Sequence, residues 1–201
     1  MERSVKTLIL VSWLFGYASG AYEVLFPFYL DSVGASFVEM GIVFTISAMV
    51  MAFVNILIGT QSDVRGRKLF YSASLALGSA VNFLVPLFNN LWQMILLRIG
   101  QDTSASVRGS VHTVLLFEKA RKRFLTAYSR VNGLEYSSQA LGLLGGGLIL
   151  AAASFQPAFW VSGTVLAIAL LIFTIGVKEE PVSVGRRVRS GSSSLRRELK
   201  I

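Results

Sequence analysis

The stretch Gly59-Thr60-Gln61-Ser62-Asp63-Val64-Arg65-Gly66-Arg67-Lys68 packs one acid and three bases between two long apolar runs, residues 38–58 before it and 69–88 after it. A run of ~20 apolar residues is what an α-helix needs to cross a hydrocarbon core of ~30 Å. The charged stretch therefore reads as a short turn between two membrane-crossing helices. Its parts have separate physical uses. Gly59 lets another helix come close. Gly66 permits a tight turn. Asp63 has Arg65, Arg67 and Lys68 beside it and need not stand unpaired.

Working outward, the same alternation fills the chain. Six runs qualify as spans: residues 7–30, 38–58, 69–88, 91–112, 124–150 and 158–177. The predicted fold is an all-α integral membrane protein with a bundle of six transmembrane helices over 1–177. Residues 178–201, rich in Ser and Arg with almost no apolar periodicity, form a basic cytoplasmic tail or the start of a linker. Asn89-Asn90 and the segment Ser154 to Pro157 give short turns between antiparallel neighbours. The apolar run after Met1 continues well past Ala18-Ser19-Gly20-Ala21, too far for the ~7–15-residue core of a secretory signal.

The composition agrees. Of 201 residues, 53% are hydrophobic and only 15% charged, with mean hydropathy +0.61. A soluble domain carries about 25% charge. With no Cys and one His, disulfide scaffolds and Cys- or His-cluster metal sites are excluded. No phosphate-binding loop, G-x-S-x-G motif or nucleophile–base constellation is present, so no cofactor and no enzymatic activity are expected. The net charge of +8 does not indicate nucleic acid, because the bases sit in short runs between apolar segments.

Those bases fix an orientation. Sixteen of the nineteen Lys and Arg fall at 1–6, 59–68, 117–123 and 178–201, and none falls in the alternate turns. By the preference of basic loops for the cytoplasm, both termini are expected there.

The pattern G-x-x-x-D-x-x-G-R-[KR] at Gly59, Asp63, Gly66, Arg67 and Lys68, placed between the second and third spans, resembles the signature of the major facilitator superfamily. Val64 and Arg65 stand as if exchanged relative to it. Arg98-Ile99-Gly100-Gln101 on the fourth span is similar to the family's R-x-x-Q motif, with Asp102 where Gly is usual. Asp31 to Gly41 looks like its first outer loop. Gly142, Gly145, Gly146 and Gly147 are similar, more loosely, to a Gly-rich fifth span. The resemblance implies a secondary transporter of small solutes in the plasma membrane, working by alternating access. It also implies an amino-terminal six-span half of a twelve-span whole, a signature loop that latches one half against the other, and spans one, two, four and five around a cavity.

Helical spacing sorts the intramembrane polar residues. Trp13, Gly16, Gly20, Glu23 and Pro27 share a face of the first span, and Thr45, Ala48, Ala52, Asn55 and Gly59 a face of the second. Arg98, Asp102, Ala105, Gly109 and His112 line the fourth. Tyr128, Asn132, Glu135, Gln139, Gly142 and Gly146 line the fifth. Candidate cavity and proton-coupling residues are Glu23, Asn55, Arg98, Gln101, Asp102, Asn132, Glu135 and Gln139. At ~1.5 Å per residue, Asp102 and Glu135 both lie roughly 16 Å deep. Arg98 and Asp102, at i and i+4, can pair. Arg108 and Arg130 are expected to snorkel to the inner surface, His112 to pack, and Gly142 and Gly146 to permit close helix approach. The expected partners are the bilayer, an unidentified small solute, and a second six-span half or second copy over the polar face. The alternative is a non-transporting membrane subunit or the remnant of an interrupted transporter gene.

Overall fold

The computed structural model describes residues 3–120 and 123–177, and along 57–65 and at 3 and 119 it describes the backbone only. The expected tail at 178–201 lies outside the described residues. Six helices follow one another: α1 (Arg3–Ser32), α2 (Phe37–Arg65), α3 (Arg67–Leu84), α4 (Leu91–Lys119), α5 (Phe124–Ala152) and α6 (Phe155–Gly176). A 3-10 turn at Val85–Leu87 carries Pro86 at its start, where a missing N–H costs nothing.

The helix ends follow local chemistry. Ser36 and Glu39 form a reciprocal capping box that starts α2, satisfying two backbone donors at once. Asn90 caps α4 by accepting from the Trp92 N–H at 3.0 Å. Gly34 and Gly66 have φ of +84° and +97°, a region L side chains rarely enter. Gly66 is the whole joint between α2 and α3. The sequence reading expected a turn over 59–68, but the helix continues to Arg65 because nothing before Gly66 breaks it. Likewise α4 runs to Lys119, past the expected end at His112.

The helices pack as a curved row in the order α5, α1, α6, α3, α4, α2. Contacts between them give the direction of each pair. Gly16 meets Glu135 and Gly20 meets Gln139, so α1 and α5 run parallel. Ser47 meets Asp102 and Asn55 meets Ser106, so α2 and α4 run parallel. Gly78 meets Ser104 while Asn82 meets Gln101, so α3 and α4 are antiparallel. One end of the bundle gathers the start of α1, the Gly66 joint and the end of α6. There Arg67 pairs with Glu118, and Lys68 Nζ donates to the Thr174 carbonyl at 3.1 Å. The other end gathers the alternate turns, where Tyr29 donates to the Phe88 carbonyl at 2.8 Å. The basic residues of the described turns thus share one end, as their spacing required.

Close approach of α1 and α5 rests on two small-residue pairs. Gly142 and Gly146 of α5 sit on the backbone of Tyr17 and Ala21, and Gly16 and Gly20 of α1 sit on that of Glu135 and Gln139. Lipid tails provide no hydrophobic drive between helices, so such van der Waals contact is the main attraction. Gly142 and Gly146 lie in this contact. Gly16 and Gly20, expected on the face of Glu23, are buried under α5 as well.

Four of the helices, over Ser4–Ser32, Phe37–Ile56, Arg67–Leu87 and Phe155–Gly176, are long and apolar enough to cross a membrane by length and composition. α4 and α5 are long enough but too polar along their length. Their polar residues are what builds the site.

Candidate functional site

The row of helices bends so that α4 and α5 approach each other across α1, leaving a polar cleft between them. On α1, Tyr22 and Phe26 turn toward α4, where the Arg98 guanidinium lies 5.7 Å from each ring centre. Gly20 and Ala21 turn toward α5. Glu23 falls between these two directions and is exposed, with no hydrogen bond or ion pair among the described residues. On α5, Asn132 and Gln139 share the face of Glu135 and are partly exposed. On α4, the added methyl of an alanine at Gly109 would meet nothing within 4 Å, which marks open space along the same stripe as Asp102.

Two ion pairs occupy this cleft, both anchored on α4. In the first, Arg98 Nε donates to Asp102 Oδ2 at 3.1 Å, as the i, i+4 spacing required. Ser47 of α2 donates to the same carboxylate oxygen at 2.5 Å. Phe44 of α2 closes over the guanidinium at 4.8 Å. Three aromatic faces around one desolvated cation are worth about 2 kcal/mol or more. Asn55 lies about two turns beyond Ser47 on α2 and accepts a hydrogen bond from Ser106, a second tie between α2 and α4.

In the second pair, Arg108 of α4 donates to Glu135 of α5. Its guanidinium lies 3.8 Å over the Phe15 ring, and its Nη1 is 3.5 Å from Ser12 Oγ. His112 hydrogen-bonds Ser12 at 3.4 Å and Tyr71 of α3 at 3.2 Å. The expectation that Arg108 snorkels to the inner surface is corrected. Its side chain is 6% exposed because an acid from the neighbouring helix compensates its charge inside the bundle. Arg130 is exposed. His112 is a packing residue, as read.

Gln101 also departs from its expected place. It is buried on the far side of α4, where its Oε1 accepts from Asn82 of α3 at 3.4 Å. Asn82 itself donates to the Gly78 carbonyl at 2.8 Å. Gln101 and Asn82 thus meet between helices, away from the cleft, with Asn82 Oδ1 left without a hydrogen-bond partner among the described residues. Of the signature residues, Gly66 is the α2–α3 joint, Arg67 reaches Glu118 and Lys68 reaches α6. Gly59 and Asp63 fall on the backbone-only stretch, so their expected roles lie outside what is described.

The sequence reading missed Ser12, Ser47, Phe44 and Tyr71. Each is an ordinary residue in its own helix and becomes part of the site only through a partner far along the chain. Among the described residues, no group of His, Asp and Glu is placed to hold a metal ion.

Comparison with known proteins fits this architecture. The chain is 27% identical over 189 residues to multidrug resistance protein MdtG of Escherichia coli, in strains O1:K1 / APEC, K12 / DH10B and SE11 alike. The similarity covers 89% of this chain and 46% of each relative, so the chain spans about half the length of the curated relatives it matches. Residues 8–200 match the sequence profile of the Major Facilitator Superfamily. With its spans, its signature residues and its polar α4 and α5 accounted for, the chain belongs to the Major Facilitator Superfamily and corresponds to the amino-terminal half of a family transporter.

Proposed function

We propose that the chain is the amino-terminal transport bundle of a secondary active carrier for small solutes, working by alternating access. The observation that carries this reading is the cleft between α4 and α5, where charged groups concentrate on the two helices least suited to lipid. All six helices cross the membrane in this reading, with α4 and α5 turning their ionisable groups inward, as intramembrane charge requires. The Lys and Arg distribution puts both termini in the cytoplasm of a cell-membrane protein. Residues 1–177 form the bundle, and 178–201 continue as a cytoplasmic connector.

Glu23, Asp102 and Glu135 are the groups able to exchange protons, with Asn55, Asn132 and Gln139 lining the path and Arg98 as counter-ion. Asp63 and its neighbours latch the bundle to its second half. The relatives' name, a multidrug resistance protein, suggests export of varied drug-like solutes. A second six-span bundle, on another chain or from a second copy, covers the cleft, because lipid facing an intramembrane charge costs at least a few kcal/mol.

The test is reconstitution in proteoliposomes containing a pH-sensitive dye, with the chain alone and together with a second six-span half. Addition of lipophilic drug-like solutes should drive proton movement in at least one preparation. Glu135→Gln should abolish it while the protein remains inserted. Absence of solute-dependent flux in both preparations refutes the transport reading.

A further inference from the structure

The two ion pairs of the cleft differ in what they hold together. Arg98 and Asp102 belong to one helix, and Arg98 lies against three rings, so loss of this pair separates no two helices that it alone joins. Arg108 and Glu135 belong to two helices that otherwise meet sparsely, through ring contacts of Phe124 near the α4–α5 turn. Arg108 is also incompletely satisfied. Among the described residues its buried Nε has no hydrogen-bond partner, and Glu135 is the one full charge that stands against it. Neutralising the acid beside a buried cation is strongly destabilising, because it leaves that charge uncompensated.

We propose that Arg108–Glu135 is a releasable strut: neutralising Glu135 frees Arg108 from α5 and lets α4 and α5 part at the basic end of the cleft. Arg108 is then a positioning residue, acting on the cleft through Glu135. Its surroundings favour release over collapse. Glu135 is 20% exposed on its side chain, so a proton reaches it from the cleft. Gly109, the next residue on α4, has open space beside it, with no heavy atom outside its own helix within 4 Å of an added methyl. The groups facing the pair are few. From α4 they are Arg108 and His112, from α3 Tyr71, and from α1 the uncharged Ser12 and Phe15. His112 is held between Ser12 and Tyr71 and keeps its own partners when Arg108 moves. The inference rests on the transporter reading for its use only, since the helix movement is a property of this bundle.

The experiment measures that movement directly. The chain has no native Cys, so spin labels go to Ser110→Cys on α4 and Ser129→Cys on α5, both exposed and outside the network. Distances are read by pulsed electron resonance in nanodiscs. The unmodified network should give one short distance at neutral pH and a longer population on acidification. Glu135→Gln should populate the longer distance at neutral pH and abolish the pH response, while Asp102→Asn leaves the distance unchanged. The acid response must survive His112→Gln. The neutral double variant Arg108→Gln/Glu135→Gln removes any stranded charge and should also adopt the longer distance, which keeps the test valid if the single variant fails to fold. A short distance retained in both Glu135 variants, or an acid response lost with His112, overturns the proposal. Neither readout depends on solute flux, so failure of the strut and failure of the transport reading are told apart.

Discussion

Substituting Gly142 by alanine tests the contact that holds α5 onto α1. The new methyl group would fall on the Tyr17 carbonyl oxygen, 2.8 Å from the carbonyl carbon and 3.0 Å from the Ala21 nitrogen. All three are backbone atoms, so no side chain can swing aside and the two helices must separate. Overpacking of this kind costs about 1–3 kcal/mol, and a backbone-on-backbone clash belongs at the upper end. Alanine also returns ~0.8–1 kcal/mol of helix propensity relative to glycine. Gly147→Ala on the same helix supplies that gain alone, since its methyl would meet nothing within 4 Å. Propensity cancels in the comparison. Gly142→Ala should therefore be less stable than Gly147→Ala by about 2–3 kcal/mol. Gly20→Ala, whose methyl falls on the Gln139 carbonyl, should behave like Gly142→Ala. The Gly20→Ala/Gly142→Ala double variant should cost less than the sum, because the first methyl has already parted the helices. The assay is denaturant unfolding in bicelles, followed by tryptophan fluorescence. Trp13 is a suitable reporter, as its carbonyl accepts from Ser138 of α5 at 2.5 Å. Equal stability of Gly142→Ala and Gly147→Ala would show that the two backbones do not touch there.

Three further outcomes are expected. Cysteines introduced at Asp63 and Lys122 should react with impermeant reagents only from the cytoplasmic side, and labelling of position 63 from outside intact cells would reverse the orientation. Gln101→Ala should lower stability by about 0.6 kcal/mol, the average for an interhelical hydrogen bond in membranes, while leaving any flux intact; a selective loss of flux would return Gln101 to the cleft. In nanodiscs, the labelled chain should bleach in two steps as a homodimer or associate with a second half, and a one-step population lasting hours without a partner would mean that the polar face needs no cover.

Much of the architecture was legible because membranes impose strong one-dimensional rules. The apolar runs, basic turns and Gly66 joint are each a property of consecutive residues, although α2 and α4 run on past the ends expected from the apolar runs. The Arg98–Asp102 pair was legible for the same reason, since i and i+4 are neighbours on any helix. Local capping at Ser36 and Asn90 also needs only residues within one turn.

What the sequence by itself determined, then, is the set of helices, their alternating direction and the stock of polar residues on α4 and α5. Tertiary structure decided which of those residues share a cavity. On α4, Asp102 meets Ser47 of α2, Gln101 meets Asn82 of α3 and Arg108 meets Glu135 of α5, three partners that spacing along α4 does not name. Gly16 and Gly20, expected on the face of Glu23, are buried because α5 packs on them. Arg108 looked like a snorkelling base because its partner stands 27 residues away on another helix. A periodic pattern records which side of a helix a residue occupies, but the identity of the neighbour on that side depends on the order in which six helices pack, and no single helix encodes that order.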